Sequence, residues 1–158
     1  MKKLDNILES IAKPLLPITP WLLRLGLGTS FILHGIGKFP LPPERMVRWF
    51  ESMGYNFPEF ITSAVAIGEV LAGAGIILGG LISGHIGNLI SRISGGAVVV
   101  IMIGALWIAH SEWFTDFLTP FTECAECEKP KPGYKHFIYS EHMYLLILGT
   151  YFAIKGNK

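Results

Sequence analysis

The chain has 158 residues, a formal net charge of +1, 51% hydrophobic residues and only 16% charged residues. Soluble domains carry about 25% charged residues, so this composition excludes an ordinary soluble domain and favours a single membrane domain over residues 1–158. Because the basic residues are scattered along the chain, no basic face for nucleic acid is expected, and membrane lipid is the expected surrounding.

The first segment, about residues 3–13, is predicted to form an amphipathic helix on the membrane surface. Its apolar residues recur every three or four positions between Leu4 and Ile11, and Pro14 follows. A frayed tail is the alternative. Because no small-residue cleavage site follows the first long apolar run, we expect the first membrane span to be retained rather than removed with a signal peptide.

The first predicted span covers about residues 21–39, which as a helix would reach about 28 Å, close to the thickness of a bilayer's hydrocarbon core. Small and polar residues recur at every fourth position along it, at Gly26, Ser30, His34 and Lys38. We expect this stripe to face protein rather than lipid. Arg24, near the start of the span, is expected to extend toward lipid head groups.

Three further spans are predicted at about residues 60–82, 93–110 and 137–154, because each is a long apolar run. Between the first two spans, about residues 42–54 are predicted to form an interfacial helix, and residues 83–92 a polar connector. The expected fold is therefore all-α, an integral membrane bundle of four transmembrane helices. With four spans both termini share one side, and Arg92 and Lys155 at span ends favour the cytoplasmic side of the plasma membrane.

Six ionisable residues fall where an alternating up-and-down bundle would bring them into the same half of the membrane. They are His34, Lys38, Glu69, His110, Glu141 and His142. A carboxylate in lipid costs several kcal/mol unless it is paired or protonated, so Glu69 needs a partner. We predict that this partner is His34 or Lys38.

The candidate catalytic residues are His34, Glu69 and His110. They could form a pocket that binds a quinone head group or moves a proton. Lys38, Glu141 and His142 are the candidate cofactor-binding residues of the same pocket. The alternative for all six is a structural polar cluster that joins the helices.

Haem is not expected, although His110 and His142 could supply an axial pair, because no His-x-x-x-His or Glu-x-x-His motif supports it. Cys124 and Cys127 form a Cys-x-x-Cys pair, which gives two ligands where structural zinc takes four, so no metal site is predicted. A redox-active disulfide is the simpler hypothesis, and a locally bridged or inactive loop pair is the alternative.

The segments LRLGLGTSFILHGIGKF, RWFESMGYNFP and IGEVLAGAGIILGG, with a later span that ends at His110, resemble the DoxX family of four-helix bacterial and archaeal membrane proteins. The most specific parts are the His-Gly-x-Gly-Lys motif at residues 34–38 and the Gly-Glu pair at residues 68–69. The resemblance implies a four-span bundle of the plasma membrane and, in some members, a subunit of a thiosulfate:quinone oxidoreductase or terminal-oxidase complex. The long loop with Cys124 and Cys127 departs from the family pattern.

The leading hypothesis for function is therefore a quinone-linked redox subunit of a membrane oxidoreductase, with a protein partner subunit or a second copy of the chain. Two other classes remain open. One is a non-catalytic scaffold or assembly factor, and the other is a permeation path for a small solute or protons, for which a single small bundle offers little room.

Overall fold

A computed structural model describes residues 2–115, 137–138 and 140–157. Within these ranges all regular secondary structure is helical. In chain order the elements are α1 (Lys2–Ala12), a 3-10 turn (Lys13–Leu15), α2 (Thr19–Ile36), α3 (Glu44–Ser52), α4 (Pro58–Leu81), α5 (Gly84–Ala109), α6 (Glu112–Thr115) and α7 (Glu141–Lys155).

Two of the described helices, α4 and α5, are each long and apolar enough to cross a membrane. A third candidate arises if α1, the 3-10 turn and α2 are counted as one span bent by 57°. The predicted first and fourth spans correspond to α2 and α7, of which α7 has only 15 residues. The described helices thus give two or three candidate spans, and the four-span bundle stays a prediction.

Helices α2, α4, α5 and α7 pack side by side in chain order, and α2 also contacts α7. Because successive helices run in opposite directions, the bundle has two distinct ends. The terminal end holds the start of α2, the turn between α4 and α5, and the end of α7. The distal end holds the end of α2, the start of α4, the end of α5 and the start of α7.

Glycines allow the backbones of neighbouring helices to touch. A Cβ atom on Gly73 of α4 would lie 2.5 Å from the carbonyl oxygen of Gly28 in α2, and one on Gly79 would lie 2.9 Å from the amide nitrogen of Ser91 in α5. No side chain fits at such distances, so both positions require glycine. Close backbone approach of this kind is common between helices in membranes.

The face of α2 that packs on α4 differs from the predicted stripe. Gly26 is exposed, with open space where its Cβ would be, and the side chain of His34 is 41% exposed. The buried residues of α2 are Arg24, Leu27, Gly28, Phe31 and Gly35. The prediction that the whole stripe faces protein is therefore wrong, because the backbone contacts of α2 are made from the adjacent face.

Arg24 lies inside the bundle with only 5% of its surface exposed. Its Nη1 donates hydrogen bonds to the carbonyl oxygen of Ile76 at 2.7 Å and to Oγ of Ser91 at 2.9 Å. Its Nη2 donates to the carbonyl oxygen of Gly156 at 3.2 Å and to Oδ1 of Asn157 at 2.6 Å. The expected extension of Arg24 toward lipid head groups is wrong, because these acceptors replace water and head groups as partners of the guanidinium.

The predicted connector at residues 83–92 is helical from Gly84 onward. Ser83 has an extended backbone and precedes the first turn of α5. Two polar residues in the following turns have partners inside the terminal end: Oγ of Ser91 accepts from Arg24, and Oδ1 of Asn88 accepts from the backbone N–H of Asn157 at 2.9 Å. Their polarity therefore reflects bonding within the bundle rather than a loop in water.

Helices α1 and α3 are not part of this four-helix packing. None of the residues of α1 is buried, and its apolar side chains are exposed. Helix α3 contacts α4 and buries Val47 and Phe50. This contact brings α3 to the distal end of the bundle.

Candidate functional site

A cavity of about 320 Å³ lies at the distal end, with walls from α2, α3, α4, α5 and α7. Its ionisable lining residues are His34, Lys38, Glu69, Glu141 and His142. Most of the remaining wall is apolar. Five of the six residues grouped by the sequence thus line one cavity, which we call the distal cavity.

An ion pair between Lys38 and Glu69 lies at the inner side of the distal cavity. Glu69 is only 5% exposed, and its Oε2 accepts a hydrogen bond from Nζ of Lys38. Nζ also donates to the backbone oxygen of His34 at 3.2 Å, in the last turn of α2, where unpaired carbonyls attract a cation. Of the two predicted partners of Glu69, Lys38 makes the contact, and the pairing offsets much of the cost of burying both charges.

His34 and Glu141 lie at the mouth of the distal cavity. Nε2 of His34 is 3.5 Å from Oε1 of Glu141, and the two side chains are 41% and 59% exposed. An imidazole and a carboxyl group can each accept or release a proton, and both side chains are exposed here. The pair can therefore connect the cavity to the water at this end of the bundle.

His142 lines the distal cavity, and His110 lies behind it. The two imidazole rings meet edge to face with centroids 5.0 Å apart, and His110 stacks on Trp113 with centroids 3.9 Å apart. Axial ligation would require an iron and its porphyrin between the two imidazoles, and this contact leaves no room for them. Within the described residues Nδ1 of His142 is buried without a hydrogen-bond partner, which is a costly state for a polar atom.

Sequence reasoning missed the aromatic part of the wall. Met46, Trp49 and Phe50 of α3 line the distal cavity. Their spacing gives α3 an apolar face, which is visible in the sequence. The sequence alone does not show that this face covers the distal end of α4 rather than lipid.

Metal binding and the cysteine pair are the remaining points of the sequence analysis. In the part of the chain that the structure describes, no three or more His, Cys, Asp or Glu residues are grouped so that they could hold a metal ion. Cys124 and Cys127 lie outside the described residues, so the redox disulfide stays a prediction.

The distal cavity combines an apolar enclosure with a few convergent polar groups, which is typical of small-molecule sites. An ammonium supplies three N–H donors, and among the described residues Nζ of Lys38 donates to two acceptors, so a third donor can serve a ligand. A carboxylate and two imidazoles beside it can accept or release protons. The arrangement suits a largely apolar molecule that carries hydrogen-bond acceptors and gains or loses protons.

In a comparison with protein families, residues 19–111 match a family model described as DoxX. The matched region runs from the start of α2 past the end of α5, and it includes His34, Lys38, Glu69 and His110. Glu141 and His142 lie beyond it. No curated protein and no solved structure gives a significant match to the chain.

Proposed function

The chain belongs to the DoxX family of membrane proteins, and on that premise we propose that its distal cavity binds the head group of a quinone in a redox complex of the plasma membrane. The observation that carries this proposal is the ion pair between the partly buried Lys38 and the buried Glu69, on the wall of an otherwise mostly apolar cavity. The protein acts as a membrane subunit that supplies the quinone site, and a partner subunit or a second copy completes the complex.

The chemistry of a quinone fits the groups around the cavity. The ring is flat and apolar, and its two carbonyl oxygens accept hydrogen bonds. The third donor of Lys38 supplies one such bond, and Glu69 holds the ammonium in place. At about 320 Å³ the cavity is at the small end of the range for ligand sites, which is suitable for a single ring.

Reduction of a quinone takes up two protons together with two electrons, so the site needs a proton source. His34 and Glu141 at the mouth exchange protons with water, and Glu69 exchanges them at the ring. His110 contacts the cavity residue His142 and takes part in the same proton exchange. The electrons come from the partner protein.

The quinone site implies that α2 and α7 cross the membrane with α4 and α5, as four spans of a single domain. The packing of α2 on α4 and of α7 on α5 supports this arrangement. Arg24 would otherwise argue against a span in α2, but its charge is bonded to groups inside the bundle. Both termini then share one side of the membrane, and we assign that side to the cytoplasm because Arg92 and Lys155 lie next to helix ends there.

The test is quinone binding by the full-length protein in lipid nanodiscs. Decylubiquinone is titrated while tryptophan fluorescence is followed, since Trp49 lines the cavity and a bound quinone quenches a nearby indole. Glu69→Gln is expected to raise the Kd about tenfold, which corresponds to the loss of one charge-assisted contact. Trp49→Phe identifies the part of the signal that comes from the cavity.

The matched control is Glu59→Gln, the same change on the same helix at an exposed position outside the wall of the distal cavity. It should bind decylubiquinone like the wild type. Equal affinity of Glu69→Gln and Glu59→Gln would refute the proposed site. Loss of a partner protein in Glu69→Gln, without any saturable quinone binding by the wild type, would indicate the scaffold function instead.

A further inference from the structure

We infer that the protein binds a long-tailed, lipid-soluble quinone, and that the tail of this quinone lies in a cleft between the distal halves of α4 and α5. The quinone enters this cleft sideways from the bilayer. The inference rests on the proposed function, because it extends the head-group site along its apolar wall.

The contact between α4 and α5 changes along the two helices. Near the terminal end their backbones touch, since a Cβ on Gly79 would lie 2.9 Å from the amide nitrogen of Ser91 and 3.0 Å from the carbonyl oxygen of Gly87. Further along, a Cβ on Gly68 would meet only the tip of the Ile101 side chain, at 3.5 Å. The backbone contact thus gives way to looser contact between side chains.

Gly104 lies about one turn of α5 beyond Ile101, nearer the distal end. A Cβ atom on Gly104 would have no atom within 4 Å. Gly104 also lines the distal cavity, so the space beside it belongs to that cavity. A glycine is not needed here for backbone contact. Its effect is to keep the cleft open.

The cavity wall continues from the ion pair to the outer surface of the bundle. The apolar lining residues along this course are Ile61, Val65, Val100, Gly104 and Ile108. Val100 belongs to the wall and is also 71% exposed, so the cavity reaches a surface that faces acyl chains when α4 and α5 cross the membrane.

The lining of the distal cavity thus includes two exposed parts of different chemistry. His34 and Glu141 form a polar mouth suited to water and protons, whereas the cleft beside Val100 is apolar and faces the bilayer. A molecule with a polar ring and an isoprenoid or alkyl tail satisfies both, because the ring reaches Lys38 while the tail occupies the cleft. A short, water-soluble quinone would leave the cleft empty.

Gly104→Leu tests this assignment, with Gly96→Leu as the matched control. Both glycines are in α5 and both have open space at the Cβ position, but Gly96 does not line the distal cavity. Each variant in nanodiscs is titrated with decylubiquinone and with the tailless ring 2,3-dimethoxy-5-methylbenzoquinone at equal lipid content. Partition of each quinone into lipid is then the same for every variant, so the variants are compared separately for each quinone.

Gly104→Leu is expected to weaken binding of decylubiquinone about tenfold and to leave the tailless quinone within about twofold of the wild type. Gly96→Leu should change neither. A second measurement in the wild type does not depend on the folding of a variant: a quinone with a photoreactive diazirine on its tail should label Val100 or residues beside Gly104, as located by mass spectrometry.

Several results would overturn the tail site while leaving the head-group site intact. These are equal weakening of both quinones by Gly104→Leu, no weakening of either, or diazirine labelling confined to other helices. Retention of a phospholipid by the wild type but not by Gly104→Leu, with unchanged quinone affinity, would show that the cleft holds an acyl chain. If the wild type binds neither quinone, the proposed function itself fails.

Discussion

At the scale of single residues, the position that most determines the packing of the terminal end is Arg24. Its four acceptors come from α4, α5 and the turn after α7, and all four are uncharged. The guanidinium also lies 4.7 Å from the ring centroid of Phe152, where a cation–π attraction adds to the hydrogen bonds. One side chain of α2 thus joins three other parts of the bundle.

We predict that Arg24→Lys destabilises the folded protein by about 2 kcal/mol, because one ammonium cannot reach acceptors on both sides as the planar guanidinium does. The measurement is the free energy of unfolding of the full chain in mixed micelles titrated with SDS. Arg92→Lys, an exposed position at the same end, is the control and should change the stability little. Equal unfolding free energies for the two variants would contradict the role given to Arg24.

The partners of Arg24 show why the sequence could not predict its burial. They lie 52 to 133 residues further along the chain, and two of them are backbone carbonyls, which every residue carries. An arginine beside a tryptophan at the start of an apolar run has the same local pattern whether it bonds to head groups or to other helices. Glu69 differs, because a carboxylate deep in an apolar run always requires a partner, and a lysine at the end of the preceding span was a ready candidate.

At the scale of elements, the helices follow directly from the apolar runs, but the orientation of each helix about its axis does not. In α2 the small residues Gly26 and Ser30 lie on one face, and Gly28 and Gly35 lie on the next. Both faces satisfy the pattern of small residues that favours close packing. Only the position of Gly73 on the neighbouring helix decides between them, and that position depends on the tertiary structure.

We predict opposite effects from the same substitution at two glycines. Gly73→Ala should destabilise the bundle by about 1–3 kcal/mol, because the new methyl group would lie 2.5 Å from the carbonyl oxygen of Gly28 and must push α2 away. Gly26→Ala should be neutral or stabilising by up to about 1 kcal/mol, since its Cβ meets nothing and alanine favours the helix.

Thermal unfolding of both variants in the same detergent measures these effects. Gly68→Ala is a further control, and its stability is expected to lie between those of the other two variants. Its new methyl group would make ordinary contact with Ile101 at 3.5 Å. If Gly73→Ala is as stable as Gly26→Ala, α2 and α4 are further apart at Gly73 than the 2.5 Å distance indicates.

At the scale of the whole molecule, the alternation of helix directions is what brings distant polar residues to one end. It follows from short connections between apolar helices, so the grouping of His34, Glu69 and His142 could be predicted from the order of the spans. The shape of the distal cavity could not be predicted in the same way. It depends on α3 covering one side and on the widening between α4 and α5, and both are results of packing.

The positions of the basic residues bear on the orientation of the bundle in the membrane. Arg24 and Lys38 carry charge that is bonded inside the bundle, so neither contributes to the surface charge that determines orientation. On the terminal end, Arg92 and Lys155 remain exposed next to the ends of long helices. Arg45 and Arg48 are exposed at the distal end as well, so the cytoplasmic placement of both termini stays a prediction that rests on the basic residues at span ends.

Single-cysteine labelling tests both this orientation and the number of spans. In a background without Cys124 and Cys127, cysteines are placed at Ser10, Asn56 and Lys155, which are all exposed. A membrane-impermeant maleimide applied to intact cells is expected to label Asn56→Cys only, and the other two after permeabilisation.

Labelling of Ser10→Cys and Asn56→Cys from the same side would mean that α2 does not cross the membrane. The distal cavity would then lack a membrane-spanning wall on that side. Labelling of Ser10→Cys and Lys155→Cys from outside, with Asn56→Cys protected, would keep the four spans and reverse the orientation.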